Sequence, residues 1–63
     1  MTLQDCVDKA YIRYNKGRSR RDQENICLDS LMDRSLSEVV SESEAEEITE
    51  QLIIDTAYWD GNF

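Results

Sequence analysis

Carboxylates are the residues of this sequence with the most obvious chemical potential, because many of them lie close together. The segment SESEAEEITE contains Glu42, Glu44, Glu46, Glu47 and Glu50. Paired acids hydrolyse glycosides when they face each other across a pocket, whereas neighbours on one short segment form a solvated surface. The acids around Asp55 and Asp60 do not have the spacing of a calcium-binding loop. We therefore predict no metal site and no cofactor.

The composition also lacks the residues that commonly activate a nucleophile for catalysis. The chain has no histidine, so neither a Ser–His nor a Cys–His pair is possible. Cys6 and Cys27 fall among apolar residues, and we expect both to be buried, reduced thiols. A redox pair is the alternative interpretation. We expect that the protein is not an enzyme.

Basic residues cluster in the segment KGRSRRD. Its four bases are Lys16, Arg18, Arg20 and Arg21. Such a cluster could contact phosphates of a nucleic acid. However, the helix that would follow as a DNA-reading helix carries Ser37, Glu38, Ser41 and Glu42 and no base, so DNA would repel it. We expect an exposed basic turn that pairs with the acidic helix of its own fold or of a second copy, and we do not expect nucleic-acid binding.

Length and composition indicate one small helical domain over residues 1–63. Hydrophobic residues make up 40% of the chain, with no proline and two glycines, which is too few turn residues for a protein built of strands. The capping signals for helix starts are Thr2, Ser19, Ser35, Ser41 and Ser43. The predicted fold is all-α, a small bundle of three main helices with one short extra helix. The predicted helices cover about 3–16, 20–33, 36–40 and 44–59.

Helical periodicity assigns a core face to each main helix. In helix one this face holds Leu3, Cys6, Val7, Ala10, Tyr11 and Tyr14, with Ile12 on the opposite side. In helix two it holds Cys27, Leu28, Leu31 and Met32. In the last helix it holds Ala45, Ile48, Leu52, Ile53 and Trp59. Ile54 and Tyr58 lie on the far side of that helix, whose second half is therefore apolar nearly all round.

Charge and exposed apolar surface together suggest a function. Residues 1–34 contain all seven bases and six acids, whereas the segment from Ser35 onward contains eight acids and no base. A chain this short can hardly cover a helix that is apolar on all sides. We predict a small acidic, noncatalytic protein-binding module that acts as a regulator, inhibitor or assembly adaptor. The predicted partner-binding residues are Ile54, Tyr58, Trp59, Phe63, Glu46, Glu47 and Glu50.

The expected partner is another protein with a basic surface, and a homodimer is also possible. Two alternatives stay open: a DNA mimic that inhibits a nucleic-acid-binding enzyme, and a small nucleic-acid-binding protein that uses the basic turn 16–21. The chain shows no export signal and no apolar run of membrane-spanning length. We therefore expect a cytoplasmic protein that does not enter a membrane.

Overall fold

Three helices form a small bundle, as the composition predicts. A computed structural model describes residues 1–32 and 34–61. The helices are α1 (Leu3–Arg13), α2 (Arg20–Leu31) and α3 (Glu42–Trp59). The long helix α3 packs against both others, most extensively against α1.

Each helix begins after a capping residue that the sequence signals, and α3 begins at Glu42 after Ser41, two residues before its predicted start at 44. The cap hydroxyls accept hydrogen bonds from the backbone N–H three residues on: Thr2 from Asp5 (3.3 Å), Ser19 from Asp22 (3.2 Å) and Ser41 from Glu44 (3.2 Å). In α1 the Asp5 carboxylate also accepts from the Thr2 backbone N–H at 3.0 Å, which completes a capping box. The hydrogen bond from the Thr2 backbone N–H is the main cause that lowers the pKa of the Asp5 carboxyl, and the Thr2 side chain adds to this effect.

The first helix is one turn shorter than the predicted span of 3–16, because α1 ends at Arg13. The side chain of Asn15 donates to the Tyr11 carbonyl at 2.8 Å and accepts from the Gly17 N–H at 2.9 Å. Asparagine competes in this way with the helical hydrogen bonds of the backbone. Gly17 then takes a φ of 76°, a left-handed value that costs glycine little.

The predicted short helix over 36–40 is not found. The chain instead makes a turn and then an extended stretch in which Val39 forms an isolated antiparallel bridge with Thr2. The Val40 N–H donates to the Met1 carbonyl at 2.7 Å. Two adjacent valines favour extended backbone, and the segment supplies acceptors to the first turn of α1. The predicted end of the second helix at position 33 lies outside the described residues, and α2 ends at Leu31.

The core lies between the three helices and the 36–40 segment. The buried apolar residues are Leu3, Cys6, Val7, Ala10, Cys27, Leu31, Val40, Ala45 and Leu52. The predicted face of α1 is thus confirmed for its first four members, and both cysteines are buried free thiols. In α2, Leu28 and Met32 are exposed instead of buried, so the predicted stripe was too wide.

In α3 the core face differs from the predicted one. Its buried residues are Ala45, Thr49, Leu52 and Thr56. The predicted core residues Ile48 and Ile53 are only partly buried, and Trp59 is 63% exposed. The two threonines lie within the buried stripe of α3, and Ile48 and Ile53 flank this stripe on either side.

A buried polar network joins the helices near the end of α3. Gln23 is fully buried, and its side-chain amide donates to the Thr56 hydroxyl at 2.9 Å and lies 3.4 Å from the Cys27 sulfur. Its carbonyl oxygen accepts from the Arg18 guanidinium at 3.0 Å. Among the described residues, no buried side-chain nitrogen or oxygen lacks a hydrogen-bond partner. Gln23 is therefore a satisfied core residue that the apolar pattern of α2 could not reveal.

Candidate functional site

The face of α3 that points away from the core is the first candidate site. We call it the α3 outer face and define it by Glu47, Glu50, Gln51, Ile54 and Tyr58. Helical geometry places these residues opposite the buried stripe, and all five are exposed. The face changes character along its length, since its carboxylates lie in the first half and its apolar side chains in the second.

The apolar half of the outer face is open to solvent, as predicted. Ile54 is 47% exposed and Tyr58 is 76% exposed. Trp59, one residue on, is also largely uncovered. It lies two turns beyond Leu52 on nearly the same side of α3. At this end of the helix the next residue, Asp60, forms an ion pair with Arg18. The predicted site residue Phe63 lies outside the described residues.

The three predicted glutamates are not equivalent. Glu46 forms an ion pair with Arg13 of α1, with 3.1 Å between Nη1 and Oε1. Glu47 and Glu50 are exposed, and no cation of residues 1–32 or 34–61 lies within ion-pair distance of either. Glu46 lies on the side of α3 that faces α1. Glu47 and Glu50 lie on the same side of the helix as the apolar residues Ile54 and Tyr58. The structure therefore brings Glu47 and Glu50, but not Glu46, together with Ile54 and Tyr58.

The basic turn is partly used within the fold. Arg18 pairs with Asp60, and Arg20 pairs with Asp8. The Arg18 side chain is only 14% exposed. Lys16 and Arg21 are exposed. The predicted pairing with the acidic helix is therefore not found within the described part of the fold, because the acids that pair with these arginines are Asp8 of α1 and Asp60 at the C-cap of α3.

A shallow groove of about 280 Å³ lies between the end of α2 and the middle of α3. Its lining residues are Ser30, Leu31, Met32, Arg34, Ile48, Gln51, Leu52 and Asp55. Met32 closes α2 with a φ of 59° and is 82% exposed. This groove was not predicted from the sequence. The apolar residues at the end of α2 could have indicated it, but we assigned them to the core.

The surroundings of Cys27 and Glu38 shift the pKa values of these two side chains. Burial raises the pKa of the Cys27 thiol, and the hydrogen bond from Gln23 opposes this only in part, so the thiol is a poor nucleophile. Arg34 pairs with Glu38, and this contact lowers the pKa of the Glu38 carboxyl. Within residues 1–32 and 34–61, no three Cys, Asp or Glu side chains gather as metal ligands would.

Crossing a bilayer requires a helix of greater length and apolarity than any in the described parts of the chain. No protein-family model, curated protein or solved structure matches this sequence or its fold.

Proposed function

We propose that this protein is a noncatalytic protein-binding module that acts as a regulator, inhibitor or assembly adaptor of a larger protein. The α3 outer face, together with Trp59, is the binding surface. Its carboxylates attract a partner with a basic surface, and Ile54, Tyr58 and Trp59 supply most of the affinity. Charged groups of this kind mainly raise the rate and specificity of encounter, whereas buried aromatic side chains dominate binding energy.

One observation carries the proposal: three large apolar side chains at the end of α3 are exposed on a fold whose core is already complete. Ile54, Tyr58 and Trp59 are 47%, 76% and 63% exposed. Single exposed apolar residues are ordinary, but a group of them beside charged residues is typical of an interaction surface. A second copy of the chain would also cover this group, so a homodimer belongs to the same proposal.

Nucleic-acid binding through the turn 16–21 has weaker support. Arg18 and Arg20 are engaged by Asp60 and Asp8, and releasing them would expose two carboxylates beside any bound phosphate. The DNA-mimic alternative uses the same glutamates as the protein-binding proposal. It differs in needing the carboxylates alone and not the apolar half of α3.

The substitution Tyr58→Glu tests the proposal. It places a charge in the centre of the apolar half without touching the core. We expect at least about a tenfold loss of affinity for a partner, as for an interface hot spot, with helix content unchanged by circular dichroism. The measurement is affinity capture from the source cell with mass-spectrometric identification, followed by sedimentation of the purified protein.

Ile12→Glu is the matched control, because Ile12 is 77% exposed on α1 and the substitution adds the same charge. A partner that Tyr58→Glu loses and Ile12→Glu keeps would support the assignment. Equal capture by both variants, together with an unchanged mass in sedimentation, would show that the assignment is wrong. Binding that survives Tyr58→Glu but is lost when Glu46, Glu47 and Glu50 become Gln would favour the DNA mimic.

A further inference from the structure

The residues of the α3 outer face lie along one line that a second helix could contact, and the last two of them, Ile54 and Tyr58, are apolar. Glu47, Gln51, Ile54 and Tyr58 follow one another at intervals of four, three and four residues, the repeat that places side chains along one line of contact between two packed helices. The line extends over about 16 Å at the usual rise per residue. That length matches about three turns of a second helix.

The charged residues of the α3 outer face and its flanks indicate which kind of helix could bind there. On one side this line is flanked by Glu50 and on the other by Asp55, whose carboxylate accepts from the Gln51 amide at 2.9 Å. Residues at these flanking positions pair with the flanking residues of the opposing helix. Because the chain has no base after Arg34, a second copy of α3 offers no cation to these acids. A parallel copy would place acids against acids, and an antiparallel copy would place the acidic half of the face against the apolar half.

We infer that the α3 outer face binds a cationic amphipathic helix of another protein. Glu47 and Glu50 face its lysine or arginine side chains, and Ile54 and Tyr58 pack against its apolar stripe. Glu46 contributes little, because Arg13 already pairs with it. This inference rests on the proposed function and narrows its partner from any basic surface to one class of helix, leaving the second copy as an outcome of the test.

A synthetic helical peptide is the probe for this inference. It is a fluorescein-labelled 15-mer, about four turns long, with leucines along one stripe and lysines on both flanks. One control peptide has glutamate in place of every lysine, and another has alanine in place of every leucine. Binding to the full chain is followed by fluorescence anisotropy at low and at high sodium chloride concentration.

We expect only the peptide with both leucine and lysine to bind, with an affinity that falls as salt screens the charges. Glu50→Gln and Glu47→Gln should each weaken binding by about threefold, the range of one exposed ion pair. Glu46→Gln should change it by less than about twofold, and Ile54→Asp should reduce it by at least about tenfold. Circular dichroism of each variant verifies that the fold is intact.

Each of the following results would overturn the inference. Equal binding of the lysine and glutamate peptides would show that the surface does not select a cationic helix. A larger loss of affinity for Glu46→Gln than for Glu50→Gln would show that the peptide binds outside the α3 outer face. A dimer in sedimentation that Tyr58→Glu dissociates would identify the occupant as a second copy. If the peptide does not bind while a captured partner still depends on Tyr58, the inference fails and the proposed function stands. If neither a captured partner nor a dimer depends on Tyr58, both fail.

Discussion

The two faces of α3 depart from the usual distribution in a small helical protein, in which polar side chains are exposed and large apolar ones are buried. The inner face buries Thr49 and Thr56 completely, whereas the outer face exposes Ile54 and Tyr58. Both threonine hydroxyls donate to the carbonyl four residues earlier in the helix, at 2.8 Å and 2.7 Å. A buried hydroxyl with such a bond avoids most of the cost of losing water.

This difference shows that size and hydrogen bonding, and not hydrophobicity alone, decide which face of α3 is buried. Small side chains allow helices to approach closely. The larger apolar residues of the outer face are therefore not needed to complete the core. Substitutions on the inner face should lower the free energy of unfolding, whereas substitutions on the outer face should lower affinity for a partner.

The largest expected difference is between Leu52→Ala and Ile54→Ala. Leu52 is 2% exposed, and truncating a buried leucine costs about 2–5 kcal/mol in the free energy of unfolding. Ile54→Ala should cost less than about 1 kcal/mol, because its side chain is already half in water. Urea denaturation of both variants measures this contrast. Similar losses would mean that the outer face also contributes to folding.

Gln23→Ala tests whether the buried polar network stabilises the core. The substitution removes the donor to Thr56 and the acceptor of Arg18, so we expect a loss of about 1–3 kcal/mol. Gln51→Ala on the outer face removes only an exposed bond to Asp55 and should cost less than about 0.5 kcal/mol. Equal stability of the two variants by urea denaturation would contradict a role of the network.

The pair Thr56→Val and Thr49→Val sharpens the comparison within the inner face. The Thr56 hydroxyl accepts from the Gln23 amide and donates to a carbonyl of its own helix. Valine at this position removes the hydroxyl, so the buried Gln23 amide keeps only the Cys27 sulfur, a weaker acceptor. We expect a cost of about 1 kcal/mol for Thr56→Val and a smaller one for Thr49→Val. Thermal unfolding followed by circular dichroism would contradict this if the order were reversed.

The smallest expected effect concerns the Cys27 thiol. Burial raises its pKa above the ordinary value of 9.0, so the folded state holds the proton more tightly than the unfolded state. This preference stabilises the fold below the ordinary pKa and is lost as the pH rises through the folded pKa. The stability of the native protein should therefore fall relative to that of Cys27→Ala above about pH 9. Parallel pH profiles in urea denaturation would contradict this.

Local sequence rules predicted much of the fold. Thr2, Ser19 and Ser41 begin helices because a side-chain hydroxyl can accept from backbone N–H groups only a few residues away, a property that needs no tertiary contact. The same rule was wrong at Ser35. There Val39 and Val40 favour an extended chain, and the contacts with residues 1–3 add hydrogen bonds that a short helix would lose.

The candidate site was predictable only in part. The exposure of Ile54 and Tyr58 follows from periodicity, because both lie opposite any apolar stripe that includes Leu52. The unequal state of the glutamates does not, since Glu46 meets Arg13 from a residue 33 positions away. The groove beside Met32 depends likewise on how closely α2 approaches α3.

The sequence alone thus determined where the three helices begin, to within about two residues, which class of fold forms and that Ile54 and Tyr58 lie outside the core. These properties depend on interactions within a few residues and on composition. Only the tertiary structure decided that threonines and Gln23 fill the core, that Trp59 stays outside it, and which carboxylates are left without a cation. Those outcomes depend on contacts between helices, whose distances and side-chain sizes are set when the bundle assembles.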